Sequence, residues 1–150
     1  MVVSWRRIFA EEPAVDDFTE INQLYARYCW TMDEKFHEEW LDCFTEDGGV
    51  EGPNFGRYSG REQLAQFLAK YRAETSMYQM RHVISNILLD IQGDDATGKC
   101  YLLHYRTHRG AIELNAIGRY HDRLRKVGGK WLFAHREASW DYTGMPARRE

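Results

Sequence analysis

At 150 residues the chain has the length of one domain, enough to bury a core but short for two cores and a linker. Its 43% hydrophobic and 14% aromatic residues exclude a disordered chain, and a formal net charge of -3, with 20 Lys and Arg scattered among 23 acids, gives nucleic-acid phosphates no basic patch to bind. Cys29, Cys43 and Cys100 are odd in number, lack C-x-x-C spacing and stand among apolar neighbours, so they read as reduced core thiols of a cytoplasmic protein and not as disulfides or zinc ligands. The opening MVVSWRRIFAEEP holds no apolar run of signal-peptide length, and no stretch approaches the roughly 18 apolar residues of a membrane span, so no export signal and no membrane partner is expected.

Taken in chain order, the first periodic segment starts near Asp16, where Asp17-Phe18-Thr19-Glu20 reads as a capping box, and carries Phe18, Ile21, Leu24, Tyr25, Tyr28 and Met32 at helical spacing. After Asp33-Glu34-Lys35, the spacing of Phe36, Trp40, Leu41 and Phe44 predicts a shorter second helix ending before Asp47-Gly48-Gly49. The glycine-rich stretch from Gly48 to Gly60, with Pro53, leaves room for short strands around Val50 and Tyr58. Ser59-Gly60-Arg61-Glu62 reads as a second capping box, followed by Leu64, Phe67, Leu68 and Tyr71 on one face of a third helix.

Beyond Ser76 the period changes to two. Four long strands are predicted, roughly 77 to 91, 96 to 108, 112 to 125 and 130 to 142, punctuated by Gly93-Asp94-Asp95, Arg109-Gly110 and Gly128-Gly129. Helices preceding an antiparallel meander make the class α+β. In the first long strand Val83, Ile87, Leu89 and Ile91 share one parity and His82, Ile84, Asn86, Leu88 and Asp90 the other. With both faces partly apolar, a second copy of the chain is the simplest cover for the outer one, and a homo-oligomer, most simply a dimer, is expected.

The face with His82, Asn86, Cys100, Leu102, His104, Arg106 and His108 mixes apolar and ionisable groups, as a ligand pocket does. His37, His108 and His121 read more simply as solvated. Asp33 closes the first helix, where a carboxylate meets the negative end of the helix dipole; on spacing alone, capping the next helix is its first reading and chemistry its second. Tyr25 and Tyr28, three apart, share a helix face and present phenols that are either core groups with wet tips or donors to a developing enolate. No metal site is expected: His104 and His108 share a parity but lie about 13 Å apart along an extended chain, and H-x-H and H-E-x-x-H are absent. Nor is there a glycine-rich phosphate cradle or a G-x-S-x-G elbow.

The order of elements, together with Leu24 to Asp33 (LYARYCWTMD), Phe44-Thr45-Glu46-Asp47, Arg81-His82-Val83-Ile84-Ser85-Asn86 and Gly118-Arg119-Tyr120-His121-Asp122 leading to Trp131, resembles the SnoaL-like branch of the nuclear-transport-factor-2-like superfamily, over about residues 15 to 142. The resemblance implies one domain in which three helices pack on a strongly curved, mostly antiparallel mixed sheet, a cone with an internal pocket. The branch includes scytalone dehydratase, a lindane dehydrochlorinase and a bile-acid dehydratase. By that resemblance Asp33 orients His82, Tyr28 joins them, and His104 stands where the bile-acid enzyme has an aspartate. Trp140 falls where that enzyme has an arginine, leaving Arg106 or Arg136 as the candidate cation. The implied activity is a cofactor-independent lyase, isomerase or cyclase acting on a small hydrophobic carbonyl or aromatic compound. His82, Asp33, Tyr28 and His104 would be its catalytic groups, with His104 protonating a departing hydroxyl, and Tyr25, Asn86, Arg106 and Trp140 its substrate contacts. The other reading open to the same fold is a non-catalytic binding or assembly subunit, such as the small subunit of ring-hydroxylating dioxygenases.

Overall fold

The computed structural model describes residues 15–143, so the reading of the opening segment lies outside the described residues. Helix α1 (Asp17–Asp33) is capped by Asp16, whose carboxylate accepts from the Thr19 N–H and hydroxyl, both at 2.9 Å. The cap falls one residue before the expected Asp17, because the Asp17 carboxylate is drawn away to Lys126 Nζ at 2.7 Å and Trp131 Nε1 at 2.8 Å. The predicted stripe from Ile21 to Met32 is buried, while Phe18 stays exposed.

Helix α2 (His37–Leu41) is shorter than its apolar spacing suggests. Phe44 opens strand β1 (Phe44–Gly52) instead, pairing with Phe133 in the sheet, so tertiary pairing overrides the helical period there. Strand β2 (Gly56–Ser59) is followed by α3 (Arg61–Glu74). Ser59 is not its cap: Gly60, at φ 79, holds that position with no side-chain bond, and Gln63 reaches back to accept the Ser59 N–H at 2.9 Å.

Four long strands follow, β3 (Gln79–Gln92), β4 (Asp95–His108), β5 (Ala111–Val127) and β6 (Lys130–Thr143). They form an antiparallel meander, and β1 joins β6 in parallel, giving one open six-stranded mixed sheet of order β2-β1-β6-β5-β4-β3. The turns Arg109-Gly110 and Gly128-Gly129 have positive φ at both residues, the two-residue geometry that matches strand twist. The three helices pack on one face of this sheet around Leu24, Trp40, Leu102, Leu124 and Phe133, each contributing roughly 1.5–3 kcal/mol if fully transferred from water. No described helix is long and apolar enough to cross a membrane.

One irregularity corrects the parity count in β3. Asn86 adopts φ 56, and the register against β4 shifts between Ser85 and Leu88. Such a bulge moves every later side chain to the other face. Ile87, Leu89 and Ile91 therefore join Ile84 against the core, whereas Val83, Leu88 and Tyr101 are exposed. Asn86 itself points to solvent, so it is not a pocket residue.

Candidate functional site

Between α1, α3 and the covered face of the sheet lies a cavity of about 290 Å³, at the low end of the roughly 300–1,000 Å³ usual for ligand pockets. Tyr28 and Met32 of α1 and Phe67 and Tyr71 of α3 wall one side, and His82, His104, Tyr120, Ala138 and Trp140 of the sheet wall the other.

Asp33, the last residue of α1, does not cap α2, whose N-cap is Phe36. Its carboxylate turns to β3 and accepts twice from one residue: the His82 backbone N–H at 2.8 Å and the ring Nδ1 at 2.6 Å. Gln79 donates to the Asp33 carbonyl at 3.1 Å, satisfying the helix end. These donors offset the carboxylate's unfavourable place at the dipole's negative end. The side chains of Asp33 and His82 are only 6% and 5% exposed, so water competes little for the bond. With Nδ1–H held by the carboxylate, the Nε2 lone pair is left for whatever enters the cavity. Tyr28 meets the His82 ring edge to face, centroids 6.5 Å apart, and burial pushes its phenol up to about 12, keeping it a donor.

His104 stands opposite His82 in the register, the two rings 4.2 Å apart. Burial, and then the neighbouring His82, push its pKa down to about 2. That burial favours the neutral imidazole. Its Nε2 lies 3.3 Å from the Tyr71 hydroxyl and its Nδ1 3.1 Å from Asn115 Nδ2.

Tyr25 also departs from expectation. It does not line the cavity; its hydroxyl donates to Asp122 at 2.5 Å, and Asp122 holds Arg136 through two further bonds, both 2.8 Å. Burial works against the Arg136 charge, but attraction to Asp122 and those hydrogen bonds lift its pKa well above the ordinary guanidinium value. The guanidinium carbon lies 4.0 Å from the Tyr120 and Phe133 ring centroids and 4.3 Å from that of Tyr28. Gly98 lies across from Asp122, and a Cβ there would overlap the Tyr25 hydroxyl. The network therefore requires glycine at that position.

Of the residues singled out in the sequence, Tyr28, His82, His104, Arg106, Arg136 and Trp140 line the cavity and Asp33 stands behind His82. Arg106 donates to Glu113 at 2.7 Å and lies over the Tyr78 ring, a polar rim to the pocket. Trp140 Nε1 and Arg136 Nη1 are buried without a partner among the described residues. The cysteines are buried and free, and burial raises their thiols to about 12, 11 and 11 for Cys29, Cys43 and Cys100, which makes them packing groups and not nucleophiles. Tyr71 and Asn115 escape sequence reasoning. Tyr71 reads as one more apolar-stripe residue of α3, and Asn115 enters the cavity only because the β4–β5 register slips beside it, between His104 and Tyr105.

The chain belongs to the SnoaL-like domain family, whose model matches residues 13–137. Among solved structures it is similar to a protein of unknown function from Mycobacterium tuberculosis, 31% identical over 85% of this chain and 73% of that one, TM-score 0.76. It is also similar to a candidate scytalone dehydratase from Novosphingobium aromaticivorans, 27% identical over 88% of this chain and 89% of the other, TM-score 0.73. A protein from Catenulispora acidiphila, solved in complex with S-DNPA, is 26% identical over 83% and 92%, TM-score 0.76. No curated protein sequence matches the chain.

Proposed function

We propose that this protein is a cofactor-independent lyase of the dehydratase type, acting on a small hydrophobic hydroxy ketone of one or two rings. The observation that carries this reading is the buried 2.6 Å bond between Asp33 and His82 Nδ1, on a histidine whose ring lines a cavity. A carboxylate that fixes the tautomer and offsets the charge gained turns the opposite nitrogen into a general base. His82 Nε2 removes the proton next to the carbonyl, the electrons move onto the carbonyl oxygen, and the enolate then expels the β-hydroxyl, which takes the proton back from His82 and leaves as water. Tyr28, which lines the cavity and whose phenol burial keeps protonated, would donate to the oxygen that gains charge. The similarity to a candidate scytalone dehydratase supports the same reaction class. A purely structural subunit would have no need of a histidine held in one tautomer at a cavity wall.

The test is direct. Incubated with 3-hydroxy-1-tetralone, whose dehydration yields fluorescent 1-naphthol, the protein accelerates water loss. His82→Ala lowers that rate by about 10²–10⁴-fold while the circular dichroism spectrum is kept. Equal rates for the two proteins remove His82 as the base.

A further inference from the structure

The chemistry of Asp33 and His82 makes no use of three polar groups on the other side of the His82 ring, namely His104, Asn115 and Tyr71. Their order imposes a direction. An amide nitrogen only donates, so with Asn115 Nδ2 at 3.1 Å the His104 Nδ1 must accept. A neutral imidazole that accepts at Nδ1 carries its proton on Nε2, and the Tyr71 oxygen lies 3.3 Å from that nitrogen. Tyr71 therefore receives a hydrogen bond from His104 and must send its own proton elsewhere. Burial, and then the negative charge of Asp33, keep that phenol protonated. Among the described residues no other group bonds the Tyr71 hydroxyl, and Tyr71 lines the cavity beside His82, ring centroids 6.3 Å apart.

We propose that Asn115, His104 and Tyr71 form a one-way relay of hydrogen-bond donors that presents the Tyr71 hydroxyl proton to an oxygen of the molecule bound beside His82. This deepens the dehydratase reading and rests on it for the role of that oxygen as the one that becomes an enolate. Tyr71 is then the catalytic donor, and His104 and Asn115 are positioning residues acting through it. Donors in series polarise one another, so the terminal hydroxyl is a stronger donor than an isolated phenol. Every member is neutral and lies in or beside the cavity wall, so the relay offers the bound oxygen a hydrogen bond and no ionic partner.

The tautomer is measured in the unmodified protein by long-range ¹H–¹⁵N correlation on ¹⁵N-histidine-labelled material at pH 7, with His104→Gln assigning the signals. The expected result is His104 with its proton on Nε2; a proton on Nδ1, or on both nitrogens, overturns the relay. Asn115→Asp supplies an acceptor in place of a donor and reverses the tautomer, drawing the Tyr71 proton back to His104. Binding is read with 2-naphthol by fluorescence. Tyr71→Phe and Asn115→Asp each weaken it by about five- to tenfold, the loss of one neutral hydrogen bond. No saturable 2-naphthol binding, or an unchanged Kd in Tyr71→Phe, also overturns the proposal. The tautomer and the naphthol affinity do not depend on turnover, so they fail separately from the His82 assignment, which only the dehydration rate tests.

Discussion

Among the described residues two carboxylates are buried, Asp33 at the end of α1 and Asp122 beneath that helix, and they differ in what they leave unfinished. Asp122 is saturated: Arg136 takes both of its oxygens, Tyr25 adds a third bond, and aromatic rings close around the guanidinium, whose residue is 1% exposed. Asp33 spends its bonds on a single histidine whose far nitrogen opens on the cavity. A carboxylate whose two oxygens are both taken has nothing left to offer a ligand, and here Asp122 locks β5 and β6 beneath α1. A pair that binds one end of an imidazole leaves the other end reactive. The difference lies in the partner: a guanidinium does not give up its proton in proteins, whereas an imidazole exchanges one near neutrality.

Substitutions separate the two. Asp122→Ala strands the Arg136 charge in the interior and should cost about 3–5 kcal/mol of stability, measured by urea unfolding; a loss below about 1 kcal/mol would mean that the aromatic rings alone support the cation. Asp33→Asn should act the other way round, lowering the dehydration rate about a hundredfold while the unfolding midpoint moves little, because it disturbs the His82 tautomer more than the packing. The smallest expected effect is on pH. His104, held down to about 2 in the folded state, takes up a proton near its ordinary value of 6.5 when the chain unfolds. Above that value both states are neutral and nothing changes. Below it the unfolded state binds the extra proton, so His104 removes up to about 1.4 kcal/mol of stability per pH unit between about pH 6 and 4. His104→Gln should flatten that slope, and an equal slope in the variant would place the titration elsewhere.

Much of this was legible in the residues. The stripe from Ile21 to Met32, the change of period after Ser76 and the glycine pairs at the hairpins place nearly every element, since each depends on neighbours in sequence. The pairing of Asp33 with His82 was legible only through resemblance to known proteins; spacing alone favoured a helix cap. Tyr25 and Tyr28 show the limit most plainly. Three residues apart on one helix face, they meet different surroundings, one a saturated carboxylate and the other an open cavity.

The sequence by itself determined the class, the order of helices and strands, and the groups able to exchange protons, because these follow from local spacing and side-chain chemistry. Only the tertiary structure decided which of those groups meet. The bulge at Asn86 turns that residue out to solvent and returns Ile87, Leu89 and Ile91 to the core; the register slip beside Asn115 brings an amide against His104. Both are shifts of one residue in strand pairing. Parity cannot register them, because it counts positions along one strand and knows nothing of the strand across from it.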